Sequence, residues 1–354
     1  MKILLVLLVF VPAAIIAKFA QASPVIVFVL SALAIVPLSG FLGRATEEIS
    51  SYTGATLGGL LNATLGNLAE LIIAMLALRA GLVDLVKASI TGSVLGNLLL
   101  VLGAAQLAGG LRHKVQRFSA ALAGLSISLL VIAVIGLVIP AVFLSTHPDP
   151  THELTRKVSI GIAAMLIIGY VLSLVYSMGT HRSVFGENSD VARESHALDH
   201  GAHWSLSKAV VVLAGSAAFV GWLSEILVGS TEAAIHSIGL SEVFVGIIVV
   251  PIIGNAAEHS SAVMMAMKNR MDLAVSIAIG SSAQVALLIA PLLVFAGLLM
   301  GQPMDLAFNV FEVAAVAVAV AVATSVVRDA ESDWLEGAFL LLVYCMLGIA
   351  FFYF

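Results

Sequence analysis

The sequence predicts an all-α polytopic membrane protein with about eleven transmembrane helices, arranged as one extra N-terminal helix and a five-plus-five inverted-topology repeat. The first observation behind this prediction is composition. Of the 354 residues, 61% are hydrophobic and 10% are charged, whereas about 25% are charged in soluble domains. The second is that the apolar residues form continuous runs, long enough to cross a bilayer, which takes roughly 20 residues. The third is a polar motif that occurs twice, starting at Gly66 and at Gly254.

Eleven apolar runs are candidates for the transmembrane helices. They are residues 3–20, 24–42, 57–78, 88–110, 118–144, 157–178, 207–229, 242–266, 273–300, 306–327 and 335–354. Their continuity argues against the alternating pattern of membrane β-strands. The first run, with its basic start and Ala-Gln-Ala end, is also typical of a signal peptide, and we interpret it as a retained helix.

The positions of lysine and arginine predict the orientation, because cytoplasmic loops are enriched in them. If Lys2 and the loops after the even-numbered runs lie on one side, that side has eleven of these residues and the other side has five. We therefore expect an integral multi-pass protein in the lipid bilayer, with a cytoplasmic N-terminus and a C-terminus outside or in a lumen. The net charge of −5 and the lack of a basic patch argue against a nucleic-acid partner.

The two copies of the motif read GNLAELIIAM and GNAAEHSSAV, and the same offset relates Ser93 to Ser281. The helix of the second copy is the fifth run after that of the first, so equivalent helices cross the membrane in opposite directions, as in many secondary transporters. The predicted organisation is an extra helix (1–23), a first repeat (24–178), a cytoplasmic linker (179–206) and a second repeat (207–354).

Each motif directs a carboxylate and an amide the same way from within an apolar run. The residues are Gly66, Asn67 and Glu70 in the first copy, and Gly254, Asn255 and Glu258 in the second. Carboxylates at membrane depth mark functional sites by default, although pinning of helix packing stays an alternative role. The glycines can loosen the helices, and the freed carbonyl oxygens are tolerated at that depth only where they line a cavity.

Carboxylate, amide and carbonyl oxygens together suit a hard cation such as Ca²⁺. The following helices add hydroxyls and amides that either complete this set of metal ligands or serve close helix packing. They are Ser93, Asn97, Ser281, Ser282 and Gln284. His259 points about 100° around the helix from Glu258, and is either a tuning or a packing residue. Glu47 and Glu232 lie in the similar segments ATEEI and STEAAI, and either feed the site or are interfacial charges.

Two close carboxylates repel each other when no cation lies between them, and burial disfavours their charged forms. We therefore expect Glu70 and Glu258 to hold protons until a divalent cation displaces them. With access alternating between the two faces, this competition gives antiport. Ca²⁺ and H⁺ are then the transported substrates, no organic cofactor is needed, and Mn²⁺ or other divalent cations stay open as substrates.

At these residues the sequence resembles the cation/proton exchanger family of the calcium/cation antiporter superfamily. The similarity extends from the second run onward and includes GSVLGNLLLVLG from Gly92 and FNVFE from Phe308. The resemblance implies export of Ca²⁺ from the cytosol against H⁺, with Glu70 and Glu258 as the core carboxylates. It also implies an acidic central linker. Here segment 181–203 has four acids, two arginines and four histidines, so it is either a pH sensor or a solvated surface.

The nearest alternative function is sodium-coupled calcium exchange, which would need more oxygen sites for several sodium ions. A cation channel fits less well, because a channel needs weak, multiple sites. An intramembrane enzyme is not expected, since the His-Glu-x-x-His pattern of a metalloprotease is missing. A homo-oligomer stays open.

Overall fold

A computed structural model describes residues 2–147, 149, 151–181 and 204–354. The first part of the chain forms eight α-helices, two π-helical turns and a short strand. They are α1 (Lys2–Leu7), α2 (Phe10–Phe19), α3 (Pro24–Leu65), α4 (Leu68–Arg79), α5 (Val83–Leu95), a π-helical turn (Gly96–Val101), α6 (Leu102–Gly110), β1 (Gln116–Arg117), α7 (Ala120–Thr146), α8 (Glu153–Val175) and a second π-helical turn (Tyr176–Thr180).

The part after the linker repeats this organisation. It consists of α9 (Leu206–Ile238), α10 (Glu242–Phe244), a π-helical turn (Val245–Val249), α11 (Val250–Gly254), α12 (Ala256–Met267), α13 (Met271–Gln284), a π-helical turn (Val285–Ile289), α14 (Ala290–Met300), α15 (Val310–Val326), β2 (Glu331–Ser332) and α16 (Trp334–Phe352).

The predicted fold class is confirmed, and all eleven predicted runs fall largely on helix. Seven helices of the described residues are long and apolar enough to cross a membrane, or up to eight if the bent pair Glu242–Gly254 and Ala256–Met267 forms one span. The predicted count of eleven is therefore not reached by length and composition alone. The difference arises because the first run is split into α1 and α2, the third run is broken after Leu65, and α15 has only 17 residues.

The predicted loop between the second and third runs, residues 43–56, is helical, because α3 extends to Leu65. However, α3 is not straight. A Cβ placed on Gly58 would lie 2.5 Å from the carbonyl oxygen of Ser50, whereas residues eight apart in a straight helix are separated by about 12 Å. The chain therefore turns back between Ser50 and Gly58, within helical backbone rather than in an extended loop.

The loops separate into two groups at opposite ends of the helices. At the first end, which we name the linker end, β1 pairs with β2 in an antiparallel register. The Gln116 amide there donates to the Ala266 carbonyl oxygen over 2.9 Å. At the other end, the outer end, Lys87 at the start of α5 binds Asp305 after α14. Because α4 leads to the outer end and α12 leads to the linker end, the two motif helices cross in opposite directions.

The end of the linker is attached to α3 by several contacts around Trp204. Its backbone N–H donates to the Glu48 carboxylate over 3.0 Å, and its carbonyl oxygen accepts from the Tyr52 hydroxyl over 2.7 Å. The Lys208 ammonium lies 4.8 Å from the centre of the Trp204 ring. These contacts place the linker and the turn of α3 at the same end of the molecule. The linker residues 182–203, including all predicted acids and three of the four histidines, lie outside the described residues.

Candidate functional site

Both motif helices break at the Gly-Asn pair, as the glycines lead one to expect. Asn67 separates α3 from α4 with φ −93° and ψ 24°, and Asn255 separates α11 from α12 with φ −107° and ψ 11°. The helices on either side of Asn255 are bent by 64°. Each break directs a carbonyl-bearing helix end toward the interior, and such ends of broken helices favour cations in membrane transporters.

Glu70 and Glu258 lie in the first turns of α4 and α12, directly after the breaks. Each carboxylate accepts a hydrogen bond from the serine 23 residues further along the chain. Ser93 on α5 donates to Glu70, and Ser281 on α13 donates to Glu258 over 2.9 Å. The repeat thus gives two equivalent carboxylate–hydroxyl pairs.

Two amide contacts join one repeat to the other. The Asn255 amide donates to the Ser93 hydroxyl over 3.4 Å, and the Asn67 amide donates to the side-chain oxygen Oε1 of Gln284 over 2.9 Å. Under the repeat offset, the contact equivalent to the first would join Asn67 to Ser281. The two halves therefore make different amide contacts, although their carboxylate–hydroxyl pairs are the same.

Glu70 and Glu258 belong to one cluster, because Ser93, which donates to Glu70, accepts from Asn255, three residues before Glu258. Glu70 is almost fully buried, with 4% of its surface exposed, and Glu258 is half-buried. In the described part of the chain, neither forms an ion pair with lysine, arginine or histidine. A buried charge without an ionic partner is costly, so the pair favours a bound cation or protons.

Several buried oxygen atoms at the site have no hydrogen-bond partner among the described residues. They include Oε2 of Glu70 and Oδ1 of Asn67. Both atoms are hydrogen-bond acceptors, and both are of the type that hard cations take as ligands. No group of three or more His, Cys, Asp or Glu side chains able to hold a metal ion occurs in the described ranges. A cation at this site would therefore depend on amide, hydroxyl and carbonyl oxygens besides the two carboxylates.

The other residues predicted to belong to the site differ in their burial and hydrogen bonds. Ser282 is buried, but its hydroxyl donates to the Ala278 carbonyl oxygen of its own helix. Asn97 is buried, and its amide nitrogen has no partner among the described residues. Nε2 of His259 is buried and likewise unpartnered in the described structure. Ser282 and His259 thus make no hydrogen bond to the two carboxylates.

The two outlying glutamates differ in their relation to the site. Glu47 is exposed and acts electrostatically on Glu258. Glu232 is also exposed, and no hydrogen bond or ion pair joins it to the site in the described residues. Of this predicted pair, the described structure therefore connects only the glutamate of the first repeat with the site.

Sequence reasoning missed the π-helical turns that flank the site. Gly96–Val101 follows Ser93, and Val285–Ile289 follows Gln284 directly. A third, Val245–Val249, precedes Pro251. π-helical turns inside α-helices are frequent at functional sites, where they redirect side chains. Only Pro251 could have indicated one of them, because it removes a backbone donor.

The chain is similar in sequence and fold to known proteins. Residues 23–179 and 208–353 match the family described as sodium/calcium exchanger protein. The chain belongs to this family. A Ca²⁺/H⁺ antiporter from Aphanothece halophytica is 45% identical over 358 residues, which cover 98% of this chain and 95% of the relative. The Ca²⁺/H⁺ antiporter ChaA of Bacillus subtilis strain 168 is 41% identical, with 97% and 96% covered.

Solved structures of exchangers have the same fold. The crystal structure of the Ca²⁺/H⁺ antiporter protein YfkE gives a TM-score of 0.85 at 36% identity and covers 100% of both chains. The crystal structure of the H⁺/Ca²⁺ exchanger CAX gives 0.74 at 16% identity, covering 99% of this chain and 91% of that one. At that identity the second comparison supports the fold alone. This exchanger-family protein therefore has the inverted-repeat architecture predicted from its sequence.

The two serines are expected to differ in importance, because Ser93 contacts both Glu70 and Asn255 whereas Ser281 contacts Glu258 only. A hydrogen bond to a charged group contributes about 1.5–3 kcal/mol. We expect Ser93→Ala to raise the KM for the transported cation by roughly ten- to a hundredfold, and Ser281→Ala to raise it less. The measurement is initial uptake rate against cation concentration in proteoliposomes. Equal effects of the two substitutions would contradict the prediction.

Proposed function

We propose that this exchanger-family protein exchanges cytosolic Ca²⁺ for H⁺ by alternating access at the site formed by Glu70 and Glu258. The observation that carries the proposal is a pair of carboxylates, one from each repeat, that are joined through Ser93 and Asn255 and have no ion pair among the described residues. The names of the relatives at 45% and 41% identity support the same substrates.

The chemistry of the pair supports coupling between Ca²⁺ and H⁺. A divalent cation between two carboxylates neutralises both charges, and two protons neutralise them equally well, whereas the empty and deprotonated pair is disfavoured by repulsion and burial. The protein therefore changes its accessible face at low cost in either neutralised form. Because only the neutralised forms change their accessible face readily, Ca²⁺ and H⁺ compete for the site. The empty, charged site does not switch between the two faces.

The ligands proposed for Ca²⁺ are the two carboxylates, the oxygens of Asn67, Asn255 and Gln284, the Ser93 and Ser281 hydroxyls, and carbonyl oxygens near Gly66 and Gly254. Asn97 stays in the proposed set as a buried amide on the helix segment after Ser93, although the atom without a partner in the described structure is its nitrogen, which does not bind cations. Ser282 has the weakest support, since its hydroxyl is used by its own helix. We also propose that the linker end faces the cytoplasm, as the lysine and arginine distribution predicts, and that Mn²⁺ competes with Ca²⁺.

Reconstitution tests this proposal directly. Purified protein is placed in sodium-free proteoliposomes with an acidic lumen, Ca²⁺ is added outside, and a calcium dye reports uptake. We expect uptake that stops when the pH gradient is collapsed. Uptake driven only by a sodium gradient would instead assign the protein to sodium-coupled exchange, and single-channel currents would assign it to the channels.

A further inference from the structure

A cavity of about 500 Å³ lies at the outer end, opposite the linker. Its polar lining comprises Asp84, Lys87, Ser145, His152, Asn309 and Glu312. Asp84 and Lys87 belong to α5, the helix that carries Ser93. Six residues separate Lys87 from Ser93, which corresponds to about 9 Å along a helix. The cavity therefore lies within two turns of the candidate site.

Lys87 is the residue in this lining that would obstruct a cation, because an ammonium repels divalent ions. Its Nζ donates to Oδ1 of Asp305 over 2.6 Å and to the Ala307 carbonyl oxygen over 3.0 Å. Lys87 and Asp305 are only 13% and 12% exposed, so water weakens this ion pair less than it weakens a surface pair. Nδ1 of His152 lies 3.4 Å from the other carboxylate oxygen of Asp305. The ammonium is thus held against the loop after α14.

The two carboxylates that line the cavity do not hold this lysine. Glu312 accepts from the Asn309 backbone N–H over 3.0 Å. Lys87 and Asp84 both act on Glu312 through space, and Asp84 lies one turn from Lys87 on the same helix. The ammonium could reach these carboxylates by changing its rotamer, and the bond to Asp305 holds it elsewhere.

The second repeat carries no lysine at the position equivalent to Lys87. The repeat offset that relates Asp84 to Asp272 places Val275 opposite Lys87. At the linker end Asp272 instead accepts the backbone N–H of Ser119, at the start of α7. The lysine is therefore particular to the outer end and is not a consequence of the repeat.

We propose that the outer cavity is the passage between the site and the outer face, and that Asp305 keeps this passage usable by holding the Lys87 ammonium away from Asp84 and Glu312. This inference rests on the proposed cation exchange. Asp305 is thus a positioning residue that acts through Lys87. Without its carboxylate, the ammonium moves to the lining carboxylates and raises the electrostatic barrier to a cation on this side.

The test compares three variants: Asp305→Asn, Lys87→Met and the double variant. KM for Ca²⁺ is measured in everted and in right-side-out membrane vesicles, and an epitope in the linker 179–206 identifies which face is exposed. We expect Asp305→Asn to raise KM at the outer face by roughly three- to tenfold with KM at the linker face unchanged. Lys87→Met and the double variant should stay within about twofold of the wild type. Arg117→Met, which removes an exposed ion pair at the linker end, is the matched control.

The double variant distinguishes the proposal from a purely structural bridge. If the ion pair only holds helices together, Lys87→Met and the double variant would be as impaired as Asp305→Asn, and the proposal would be overturned. It would also be overturned by a normal outer KM in Asp305→Asn. Loss of exchange in the wild type would instead refute the proposed function itself.

A chemical version of the test does not require the Asp305 variant to fold. On a Cys345→Ser background, Lys87→Cys is modified after folding with a quaternary-ammonium or a neutral methanethiosulfonate. The quaternary group has no N–H to donate to Asp305, so we expect it alone to raise the outer KM. Equal KM values after the two modifications would overturn the proposal.

Discussion

Replacing Glu258 with glutamine is expected to abolish Ca²⁺/H⁺ exchange while leaving the protein folded. Glutamine preserves the shape of the side chain and can still pair with the Ser281 hydroxyl, which donates to Glu258 over 2.9 Å. It removes the charge that balances half of a divalent cation, and it removes the group that takes up a proton. We expect the transport rate to fall at least about 100-fold, which corresponds to only about 2.7 kcal/mol. Glu70→Gln should have the same effect.

The measurement is dye-reported Ca²⁺ uptake by purified protein in sodium-free proteoliposomes under a pH gradient. The control is Glu331→Gln, which removes a carboxylate from an exposed ion pair with Arg117 at the linker end and should leave uptake unchanged. Thermal unfolding of each purified variant establishes that the chain is folded. Near-normal uptake by either Glu258→Gln or Glu70→Gln would refute the paired-glutamate site.

A methyl group added to Gly92 is expected to have the second large effect. A Cβ at this position would lie 2.1 Å from the carbonyl oxygen of Ile247 and 2.5 Å from its Cα. Both atoms are backbone atoms of the π-helical turn before Pro251, so no side chain can move aside. Overpacking in a core typically costs about 1–3 kcal/mol, and an immovable backbone places Gly92→Ala at the upper end. The displaced turn also carries the helix that leads to Asn255, so transport should fall with stability.

The repeat supplies the matched control for this substitution. Gly280 is the counterpart of Gly92 in the second copy, and a Cβ there would meet no atom within 4 Å. Gly280→Ala should therefore leave both melting temperature and uptake close to the wild type. Thermal unfolding in detergent and the proteoliposome assay measure the two quantities. Equal melting temperatures and uptake rates of Gly92→Ala and Gly280→Ala would show that the close approach of Gly92 to the Ile247 backbone limits neither stability nor transport.

The sequence predicted those features that depend on patterns within one segment. Apolar length located the helices, and the paired motif located the breaks at Asn67 and Asn255 because glycine weakens a helix. The inversion followed from counting the segments between the copies. Residues 43–56 were expected to form a loop, because they are more polar than their neighbours, yet their backbone is helical and α3 extends to Leu65.

Features that depend on contacts between distant segments could not be predicted. Lys87 and Asp305 are 218 residues apart, and each alone is an ordinary charge near a helix end. Asn67 and Gln284 are 217 residues apart, and their pairing replaces the symmetric partner that the repeat suggests. Ser282 was included in the site because it follows Ser281, but adjacent residues on a helix point about 100° apart. Its hydroxyl is turned toward its own backbone.

The unlike amide contacts of Asn67 and Asn255 have a further consequence. The repeat offset places Gly96 opposite Gln284, so Asn255 has no side-chain amide available in the way that Asn67 has Gln284. The amide contacts of the two halves therefore cannot be exchanged by symmetry, because the first copy lacks the glutamine. The internal symmetry of the site thus extends to its carboxylate–hydroxyl pairs and ends at its amides.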